Sequence, residues 1–486
     1  MVFLRKRDNC LTGFTFGAMV YQPVIGLEVH IQLQTRSKLF CADPAAYGAA
    51  PNTQVSPISL AHPGTLPVLN EQALDFAIQL GLALGCSVTR RGWFDRKHYF
   101  YPDLPKGYQT TQLHAPILVG GSLAGVAIHH VHLEEDAGKS IHDTDPIFSC
   151  IDLNRAGVPL LELVTDPVMH DAETASIFLT ELRKLVRWLG ICDGNMEEGS
   201  LRCDANISLR PQGDTKLGTK VEIKNINSIR FVRKAIEAEI RRQTALLEKG
   251  EIIVQQTRGY DSEADKTNAQ RDKEEANDYR YFPCPDLPPF TVTEEKIALL
   301  KSNLPALPEE KMQQFLHAGL PAQDAQVLTE EKPLSDYFSQ LLEVQTPAKA
   351  AANWLLGPVK KWINETQSAL EEFPLHPTAL NKLIALVESG QVNFSTAAGP
   401  VFQAFLTQPN EEPLAIATRL NLIQVQDTDQ TETWIKEVLE SMPDKVAEYK
   451  KGKKGLIGLF VGEVKKRSKG KADPKMTTEM LQKLLN

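Results

Sequence analysis

The chain has 486 residues, of which 42% are apolar and 23% charged, and its formal net charge is −8 at pH 7. These are ordinary values for a globular protein, so they exclude a wholly disordered chain, a collagen-like fibre and a polytopic membrane protein. The length is about three times the ~150 residues of a typical single domain, which predicts two or three domains.

The start of the chain does not resemble a secretory signal. Residues 1–18 begin with basic residues, but their apolar part is short and is broken by Asp8, Asn9 and Gly13. Because Met19 directly precedes a strong strand pattern, we expect residues 1–18 to be an upstream extension. No stretch reaches the ~18 consecutive apolar residues of a membrane span, so no membrane association is predicted.

Strand patterns dominate residues 19–292, and helical patterns interrupt them. The helical patterns run over Glu71–Leu84, Asp171–Leu189 and Ser228–Lys249. The third opens on a serine suited to an N-cap and is followed directly by a glycine, which is the usual chemistry of a helix start and stop.

Proline marks the predicted domain boundaries. The segment 282–289 carries four prolines in eight residues, and proline removes a backbone donor and disfavours helix before it. From Thr293 onward the apolar spacing becomes helical, and a second, weaker boundary lies at Gln408–Pro413. We therefore predict an α+β protein with a β-rich domain over residues 19–292, an all-α helical domain over 293–407 and a small helical tail domain over 408–486.

The charge is unevenly distributed along the chain. Residues 445–486 contain 12 Lys and Arg against 4 Asp and Glu, although the whole chain is acidic. A basic tail on an acidic body is a pattern that suggests a polyanion as partner.

Several predicted strands carry one apolar and one polar face. In Val24–Leu33, every second residue from Ile25 is apolar, whereas Glu28 and His30 stand side by side on the opposite face. Four more strand patterns place polar residues on one face: His130, His132, Glu134 and Asp136; Glu162 within Pro159–Val164; Arg202, Asp204, Asn206 and Ser208; and Lys220, Glu222 and Lys224.

These polar faces allow two interpretations. Each one taken singly is explained as the solvated side of an antiparallel sheet. Together they favour a shared site, because a lone Glu162 in an apolar run is costly to bury unless it is paired or bound to metal. Mg²⁺ takes oxygen ligands and bridges phosphates, so converging carboxylates would suit ATP. No standard nucleotide motif supports ATP, since Gly213–Lys220 inverts the Lys-Ser/Thr order of a phosphate loop.

Two stretches interleave aromatic and basic residues. Phe94–Tyr108 contains Arg96, Lys97 and Lys106 among aromatic side chains. Tyr279–Pro283 likewise combines aromatic residues with an arginine. Such residues can stack bases and hold phosphates, and they equally suit proline-rich loops pinned by half-buried aromatics.

Long sequence strings resemble the B subunits of the aspartyl/glutamyl-tRNA amidotransferases. The resemblance runs from Tyr21 to the C-terminus. The matching strings are Val24–Ile31, Phe94–Thr110, His132–Ser140, Asp152–Thr165, Glu197–Pro211, Glu222–Ile229, Asp278–Pro289 and, in the tail, Gly452–Arg467 and Gly470–Lys475.

The resemblance implies a cytoplasmic ligase subunit. Such a subunit acts in a heterotrimer with an amidase (A) subunit, which releases ammonia from glutamine, and a small C subunit. It uses ATP and Mg²⁺ to phosphorylate the side-chain carboxylate of misacylated Glu-tRNA(Gln) or Asp-tRNA(Asn), and ammonia then displaces phosphate. The family's N-terminal part is a cradle domain that carries this site, and its tail domain engages the tRNA.

The resemblance also implies site residues. The metal and phosphoryl-transfer site would comprise Glu28, His30, Glu134, Glu162 and Asp204, with His30, Glu134 and Glu162 as Mg²⁺ ligands. Lys97 would contact ATP or the acyl phosphate. His132 and Asp136 are equally eligible by strand pattern, and for His30 the roles of metal ligand and proton acceptor remain alternatives.

One departure from the family concerns zinc. Many relatives carry a four-cysteine zinc knuckle after the first strand, but here Cys41 stands with Asp43, Ser56 and Ser59. One thiolate with hydroxyls does not make a structural zinc site, so zinc is not expected. The seven cysteines are dispersed and form no CxxC pair, which predicts free thiols in a reducing, cytoplasmic compartment.

Two alternatives accompany the resemblance. The chain could be a noncatalytic tRNA-binding scaffold of the same assembly, which the presence of all five site residues disfavours. The archaeal-type relative that makes only Gln-tRNA(Gln) has a long extra domain in its C-terminal half, for which this chain has no room. The sequence leaves open whether Glu-tRNA(Gln), Asp-tRNA(Asn) or both are substrates.

Overall fold

The computed structural model describes residues 20–142, 145–272, 279–424, 428–468 and 471–485. The predicted upstream extension, residues 1–18, lies outside these described residues. The chain divides into two compact units, one ending at Leu307 and one starting at Pro308. No helix within the described ranges is long and apolar enough to cross a membrane.

The first unit combines strands with helices. Its strands are β1 (Tyr21–Gln32), β2 (Ser87–Val88), β3 (Arg91–Gly92), β4 (Asp95–His98), β5 (Tyr108–Thr111), β6 (Leu118–Val119), β7 (Ser122–Leu123), β8 (Val126–Glu135), β9 (Lys139–Ile141), β10 (Cys150–Asp152), β11 (Pro159–Thr165), β12 (Leu201–Pro211), β13 (Val221–Ile226), β14 (Gln256–Asp261), β15 (Lys266–Asp272), β16 (Phe282–Pro283) and β17 (Phe290–Thr291). Its helices are α1 (Glu71–Leu84), α2 (Ala172–Trp188), α3 (Ile229–Glu248) and α4 (Glu294–Ser302).

A large sheet organises this unit. Its strand order is β15-β14-β13-β12-β1-β11-β8-β6-β2, with β7 also pairing with β8. The pairs are antiparallel except β13 with β14, which is parallel. The small sheets are β10-β9, β16-β4-β5 and β17-β3. Strand β1 therefore lies in the middle of the sheet, between two strands that follow it by more than a hundred residues.

The predicted apolar faces form the core. Ile25, Leu27 and Val29 of β1 are buried and share one cluster with Phe178 and Leu182 of α2. The three predicted helices are confirmed, and Ser228 caps α3 by accepting a hydrogen bond from the Phe231 backbone. Because helices pack on the apolar side of the sheet, the alternate polar residues are free to form a site on the other side.

The first unit extends past the predicted edge at residue 292. Helix α4 packs against α1, where the Lys296 ammonium lies 2.6 Å from Asp75 and Leu300 joins the core of the sheet. The amphipathic pattern that begins at Thr293 thus starts within this unit. The predicted division into three domains stays a prediction.

The second unit is helical. Its helices are α5 (Pro308–His317), α6 (Ala322–Leu328), α7 (Lys332–Glu343), α8 (Ala348–Trp354), α9 (Lys360–Thr366), α10 (Pro377–Glu388), α11 (Phe394–Thr396), α12 (Phe402–Thr407), α13 (Pro413–Arg419), α14 (Thr428–Ser441), α15 (Pro443–Lys450), α16 (Ile457–Arg467) and α17 (Pro474–Leu485), with π-helical turns at Leu355–Val359 and Ala397–Val401 and 3₁₀ turns at Leu370–Glu372 and Lys454–Leu456. It has one apolar cluster between Phe315 and Ala417 and another between Ile435 and Leu485. The α+β class is confirmed.

Candidate functional site

A row of polar side chains crosses the central strands of the large sheet on its open face. His30 of β1 lies opposite Glu162 of β11, which in turn lies opposite His132 of β8. On the other side of β1, Glu28 lies opposite Asp204 of β12. This row follows from the alternation of each strand combined with the antiparallel register.

The first group in the row contains His30, Glu134 and Glu162. Their potential ligand atoms all lie within 4.8 Å of one another. His30 Nε2 is 3.3 Å from Glu162 Oε2. His132 joins the group, because its Nε2 is 3.2 Å from Glu134 Oε2 and 3.4 Å from Glu162 Oε2. The structure thus brings together the three residues predicted to hold metal and adds a second imidazole.

A residue of β5 fixes the side chain of Glu134. Its side chain is buried, and the Thr111 hydroxyl donates a hydrogen bond of 3.0 Å to Oε2. The neighbouring Glu135 points to the other face of β8, where it pairs with Lys106 and accepts a 2.8 Å hydrogen bond from the Thr110 backbone. The alternation of the strand therefore separates the two glutamates, as predicted.

The charges within this group shift its pKa values. Burial alone would lower the pKa of both histidines, but hydrogen bonds and charges from the carboxylates outweigh it. The pKa of His30 is raised, mainly by Glu162, and that of His132 is raised to about 10 by Glu134 and Glu162. Burial alone would raise the pKa of Glu162, yet its two histidine partners hold it well below the usual range. The carboxylates therefore favour the protonated form of both imidazoles.

The second group contains Glu28, Asp204 and Glu222, whose oxygens also lie within 4.8 Å of one another. The Lys224 ammonium lies 2.9 Å from Asp204 and 3.2 Å from Glu222. The Asn206 amide donates a 2.8 Å hydrogen bond to Glu28. The predicted residues Glu28 and Asp204 thus belong to a separate carboxylate group on the same face.

Lys97 lies in β4 and lines a cavity of about 380 Å³ together with Glu134 and Glu162. Within the described ranges its ammonium makes no hydrogen bond or ion pair, and it lies 5.1 Å from the centre of the Tyr279 ring and 5.8 Å from that of Tyr99. Burial alone would lower the pKa of Lys97, but nearby negative charge, that of Glu134 foremost, raises it. The geometry leaves this cation available to a negatively charged ligand.

Comparison with known proteins decides the family. Residues 23–298 match the description "GatB/GatE catalytic domain" and residues 336–485 match "GatB domain". The chain belongs to the GatB/GatE family. The catalytic-domain match contains all the residues of both carboxylate groups.

Curated relatives support this membership over nearly the whole chain. The B subunit of the aspartyl/glutamyl-tRNA(Asn/Gln) amidotransferase from Chlorobium chlorochromatii is 48% identical over 477 residues, which cover 96% of this chain and 100% of the relative. The proteins of the same name from Trichlorobacter lovleyi and Thermodesulfovibrio yellowstonii are 47% and 45% identical, each over 476 residues with the same coverage.

Within this GatB/GatE chain, strand pattern alone also made Asp136 eligible for the site. Asp136 instead pairs with the Arg202 guanidinium at 2.7 Å and with Arg155 at 3.7 Å. His132, equally eligible by pattern, contacts both glutamates of the first group. His132 and Asp136 are each two residues from Glu134 in the sequence. Only the three-dimensional structure therefore shows that His132 belongs to the site and Asp136 does not.

Sequence reasoning missed Gln112, which also lines the cavity. It follows β5 directly, at a position with no periodic signal. Glu222 was noted only as part of a polar strand face, and its place beside Asp204 depends on the pairing of β12 with β13. That pairing carries an irregularity between Cys203 and Ala205, which strand periodicity does not reveal.

The segment that departs from the family's cysteine pattern is held by hydrogen bonds. Cys41 Sγ lies 3.5 Å from Ser59 Oγ, and the Ser59 hydroxyl also donates to the Asp43 carboxylate. The Ser56 backbone donates a 2.9 Å hydrogen bond to the same carboxylate oxygen. The four positions are therefore close in space. The expectation that no zinc binds there stays a prediction.

Proposed function

We propose that this chain carries the ATP-dependent transamidation site of an aspartyl/glutamyl-tRNA amidotransferase. The proposal rests chiefly on the two carboxylate groups on one face of the sheet, the first of which shares its cavity with Lys97, whose ammonium has no ion-pair partner among the described residues. The relatives are named as subunits of an aspartyl/glutamyl-tRNA(Asn/Gln) amidotransferase, which supports the transamidation part of the proposal. The substrates would be Glu-tRNA(Gln), Asp-tRNA(Asn) or both.

The reaction needs activation because a carboxylate has no adequate leaving group. An oxygen of the aspartyl or glutamyl side chain attacks the γ-phosphorus of ATP, the bond from that phosphorus to the bridging oxygen breaks, and ADP leaves. Ammonia then attacks the carbonyl carbon of the acyl phosphate, and the carbon–oxygen bond to phosphate breaks. The products are an amide and inorganic phosphate, which takes the proton that nitrogen loses.

The residues present fit a divalent cation. Both groups already surround a positive charge, the Lys224 ammonium in one and the His132 imidazole in the other. Three carboxylates in the second group give the oxygen ligands that Mg²⁺ prefers, and the first group offers two carboxylates with an imidazole. We propose that His30, Glu134 and Glu162 hold Mg²⁺. When bound, Mg²⁺ would neutralise charge on phosphoryl and carboxylate oxygens.

Lys97 would hold the transferred phosphoryl group. Its ammonium is confined by the Tyr279 and Tyr99 rings yet has no anionic partner in the described ranges. A positioned cation stabilises negative charge in a partly buried site far better than in water. The residue would therefore act on ATP or on the acyl phosphate after transfer.

The proposal includes partners. An amidase (A) subunit would supply ammonia and a small C subunit would complete a cytoplasmic heterotrimer, because the relatives are named as the B subunit of the enzyme. The tail would bind the tRNA body. Its lysines 450, 451 and 466 are exposed, as binding to phosphates requires.

The decisive experiment compares turnover with binding in the complete enzyme. Glu134→Ala and Asp204→Ala are each expected to abolish tRNA-dependent ATP cleavage while leaving the Kd for tRNA near the wild-type value. Glu181→Ala on α2 is the control, because this carboxylate is half-exposed and lies outside both groups. Wild-type ATP cleavage by both site variants would contradict the proposal. A wild-type complex that binds tRNA without cleaving ATP would favour the scaffold alternative.

A further inference from the structure

Three tyrosine rings pack together beside the first carboxylate group. The Tyr99 and Tyr279 rings lie with their centroids 6.2 Å apart and their planes at 74°, and the Tyr279 and Tyr281 rings lie 6.1 Å apart at 75°. Both pairs have the edge-to-face arrangement that aromatic rings favour, so the three side chains support one another. We call Tyr99, Tyr279 and Tyr281 the tyrosine cluster.

Two distant segments of the chain build this cluster. Tyr99 follows β4 directly, whereas Tyr279 and Tyr281 come just before β16, which pairs with β4. The His98 backbone N–H donates a 2.9 Å hydrogen bond to the Tyr279 carbonyl. Between the two tyrosines, Arg280 has a φ of 46°, a left-handed conformation that costs energy for a residue with a side chain. The surrounding contacts therefore hold the backbone of the cluster in a specific shape.

The tyrosine cluster lies against charged groups of the proposed site. The Lys97 ammonium is 5.1 Å from the centre of the Tyr279 ring and 5.8 Å from that of the Tyr99 ring. Tyr281 lines the same cavity of about 380 Å³ as Lys97 and Glu134. A group that reacts beside Glu134 and Lys97 would therefore have aromatic rings on this side.

The rings offer apolar surface rather than acid–base chemistry. Burial raises the pKa of Tyr99 and of Tyr281, so both phenols stay neutral. The Tyr99 hydroxyl donates a 3.3 Å hydrogen bond to Oε1 of the buried Gln109 and is thus engaged within the protein. The cluster is therefore suited to covering a reaction site and not to moving its protons.

The proposed reaction needs such cover, because an acyl phosphate reacts with water as well as with ammonia. In this side reaction a water oxygen attacks the carbonyl carbon, the carbon–oxygen bond to phosphate breaks, and the two protons of the water pass to phosphate. The carboxylate is regenerated, and one ATP has been cleaved without an amide being formed. Exclusion of water from a site prevents such hydrolysis of a reactive intermediate.

We propose that the tyrosine cluster selects ammonia over water at the acyl phosphate by keeping water away from the intermediate. The three rings are then specificity-determining residues, because they decide which nucleophile completes the reaction. This inference rests on the proposed function and goes beyond it, since phosphoryl transfer itself does not require the rings. The effect of the cluster is measured as the number of ATP molecules cleaved for each amide formed.

The test determines that ratio in the complete enzyme with glutamine as the source of ammonia. Tyr281→Ala and Tyr279→Ala open the cluster at two positions, and Tyr281→Phe keeps the ring while removing the hydroxyl. Tyr47→Ala is the matched control, because Tyr47 is 73% exposed and does not line the cavity. Thermal unfolding of each full-length variant shows that it is folded. A second readout is tRNA-dependent ATP cleavage without glutamine or ammonium, which reports attack by water alone.

Removal of a ring should raise the ratio. The wild-type enzyme, Tyr281→Phe and Tyr47→Ala should each cleave about one ATP for each amide, because water is kept from the intermediate. Tyr281→Ala and Tyr279→Ala should cleave about threefold more or higher, and they should also cleave ATP faster than the wild type when ammonia is absent.

The contrary results are equally distinct. A ratio within twofold of the wild-type value in both Ala variants would overturn the inference, and so would a ratio for Tyr281→Phe as high as that for Tyr281→Ala. Complete loss of ATP cleavage in the folded Ala variants would assign the rings to phosphoryl transfer itself and would also overturn it. A wild-type complex that cleaves no ATP in the presence of tRNA would instead contradict the proposed function.

Discussion

His30 and Glu162 lie directly opposite each other on neighbouring antiparallel strands, with His30 Nε2 3.3 Å from Glu162 Oε2. The same oxygen lies 3.4 Å from Nε2 of His132 on the next strand. One carboxylate therefore links the imidazoles of two strands that do not pair with each other. The negative charge of Glu162 therefore serves two ion pairs, one with His30 on β1 and one with His132 on β8.

The first prediction removes that charge with little change in size. Glu162→Gln should lower ATP cleavage and weaken the binding of Mn²⁺, used as a probe for Mg²⁺, by about tenfold or more, because the carboxamide is a poorer ligand. Electron paramagnetic resonance of free Mn²⁺ measures the affinity. Glu181→Gln should leave the Mn²⁺ affinity unchanged. An unaltered Mn²⁺ affinity in Glu162→Gln would show that Glu162 is not a metal ligand.

The second prediction concerns the ammonium of Lys97, which has no ion-pair partner in the described part of the chain. Lys97→Met should reduce tRNA-dependent ATP cleavage roughly a hundredfold, the usual effect of deleting one preorganised electrostatic group. Steady-state phosphate release measures it. Lys249→Met is the control because Lys249 is exposed at the end of α3. A change confined to the KM for tRNA would instead place Lys97 in tRNA binding.

The third prediction tests the basic tail. Deletion of residues 445–486 should weaken tRNA binding more than ATP binding, but it also removes Phe460 and Leu481 from an apolar cluster. Replacing the exposed lysines 450, 451 and 466 by Ala avoids that loss. The Kd for tRNA should rise, and the slope of log Kd against log salt should fall by about one for each phosphate that a lysine no longer neutralises.

The matched control for the tail replaces lysines 349, 360 and 361, which are exposed in the same unit. Filter binding at several salt concentrations gives both slopes. Equal slopes in the two triple variants would show that the tail lysines have no special role in binding tRNA.

The fourth prediction concerns the segment around Cys41. Because Asp43, Ser56 and Ser59 already lie close to this thiol, replacing all three by Cys should create a four-thiolate site that retains about one Zn²⁺ per chain. Metal analysis after dialysis measures it. The natural chain should retain none. A quadruple-thiol variant without zinc would show that the side chains do not converge as tetrahedral ligands.

The fifth prediction addresses stability. Glu239 of α3 is fully buried and pairs with Arg242 at 2.6 Å and Arg258 at 3.6 Å. Glu239→Ala leaves two partly buried guanidinium groups without their carboxylate, so the free energy of unfolding should fall by about 3 kcal/mol, the lower end of the range for a broken buried pair. Urea denaturation measures the loss. Glu237→Ala on the exposed side of the helix should cost far less, and equal losses would contradict a special role for the buried pair.

Local patterns accounted for much of the fold and of the site. Alternation predicted that Glu28 and His30 would face away from the core, and helix-capping chemistry placed the start of α3. The selection among eligible residues did not follow from local pattern. Asp136 and His132 have the same spacing from Glu134, and only the pairing partners supplied by distant strands distinguish them.

Other features of the fold and of the site depend on strand irregularities and long-range contacts, which the periodicity of the sequence does not predict. A bulge in β8 at His129 and the place of Gln112 after β5 arise from how strands meet, because neither residue belongs to a repeating pattern. The extension of the first unit to Leu307 likewise depends on α4 packing against α1, which is a long-range contact. The resemblance to a known family implied the proposed roles of the site residues, and the structure shows which residues surround them.

The central position of β1 has a consequence during synthesis. This strand, Tyr21–Gln32, is made before both of its partners, which end much later in the chain, at Thr165 and Pro211. One hydrogen-bonding edge of β1 therefore stays open while about 130 further residues are made and the other while almost 180 are made, which exposes a half-apolar strand to wrong pairing. A nascent chain stopped short of β12 would contain His30, Glu134 and Glu162 but would leave Glu28 without its opposite strand.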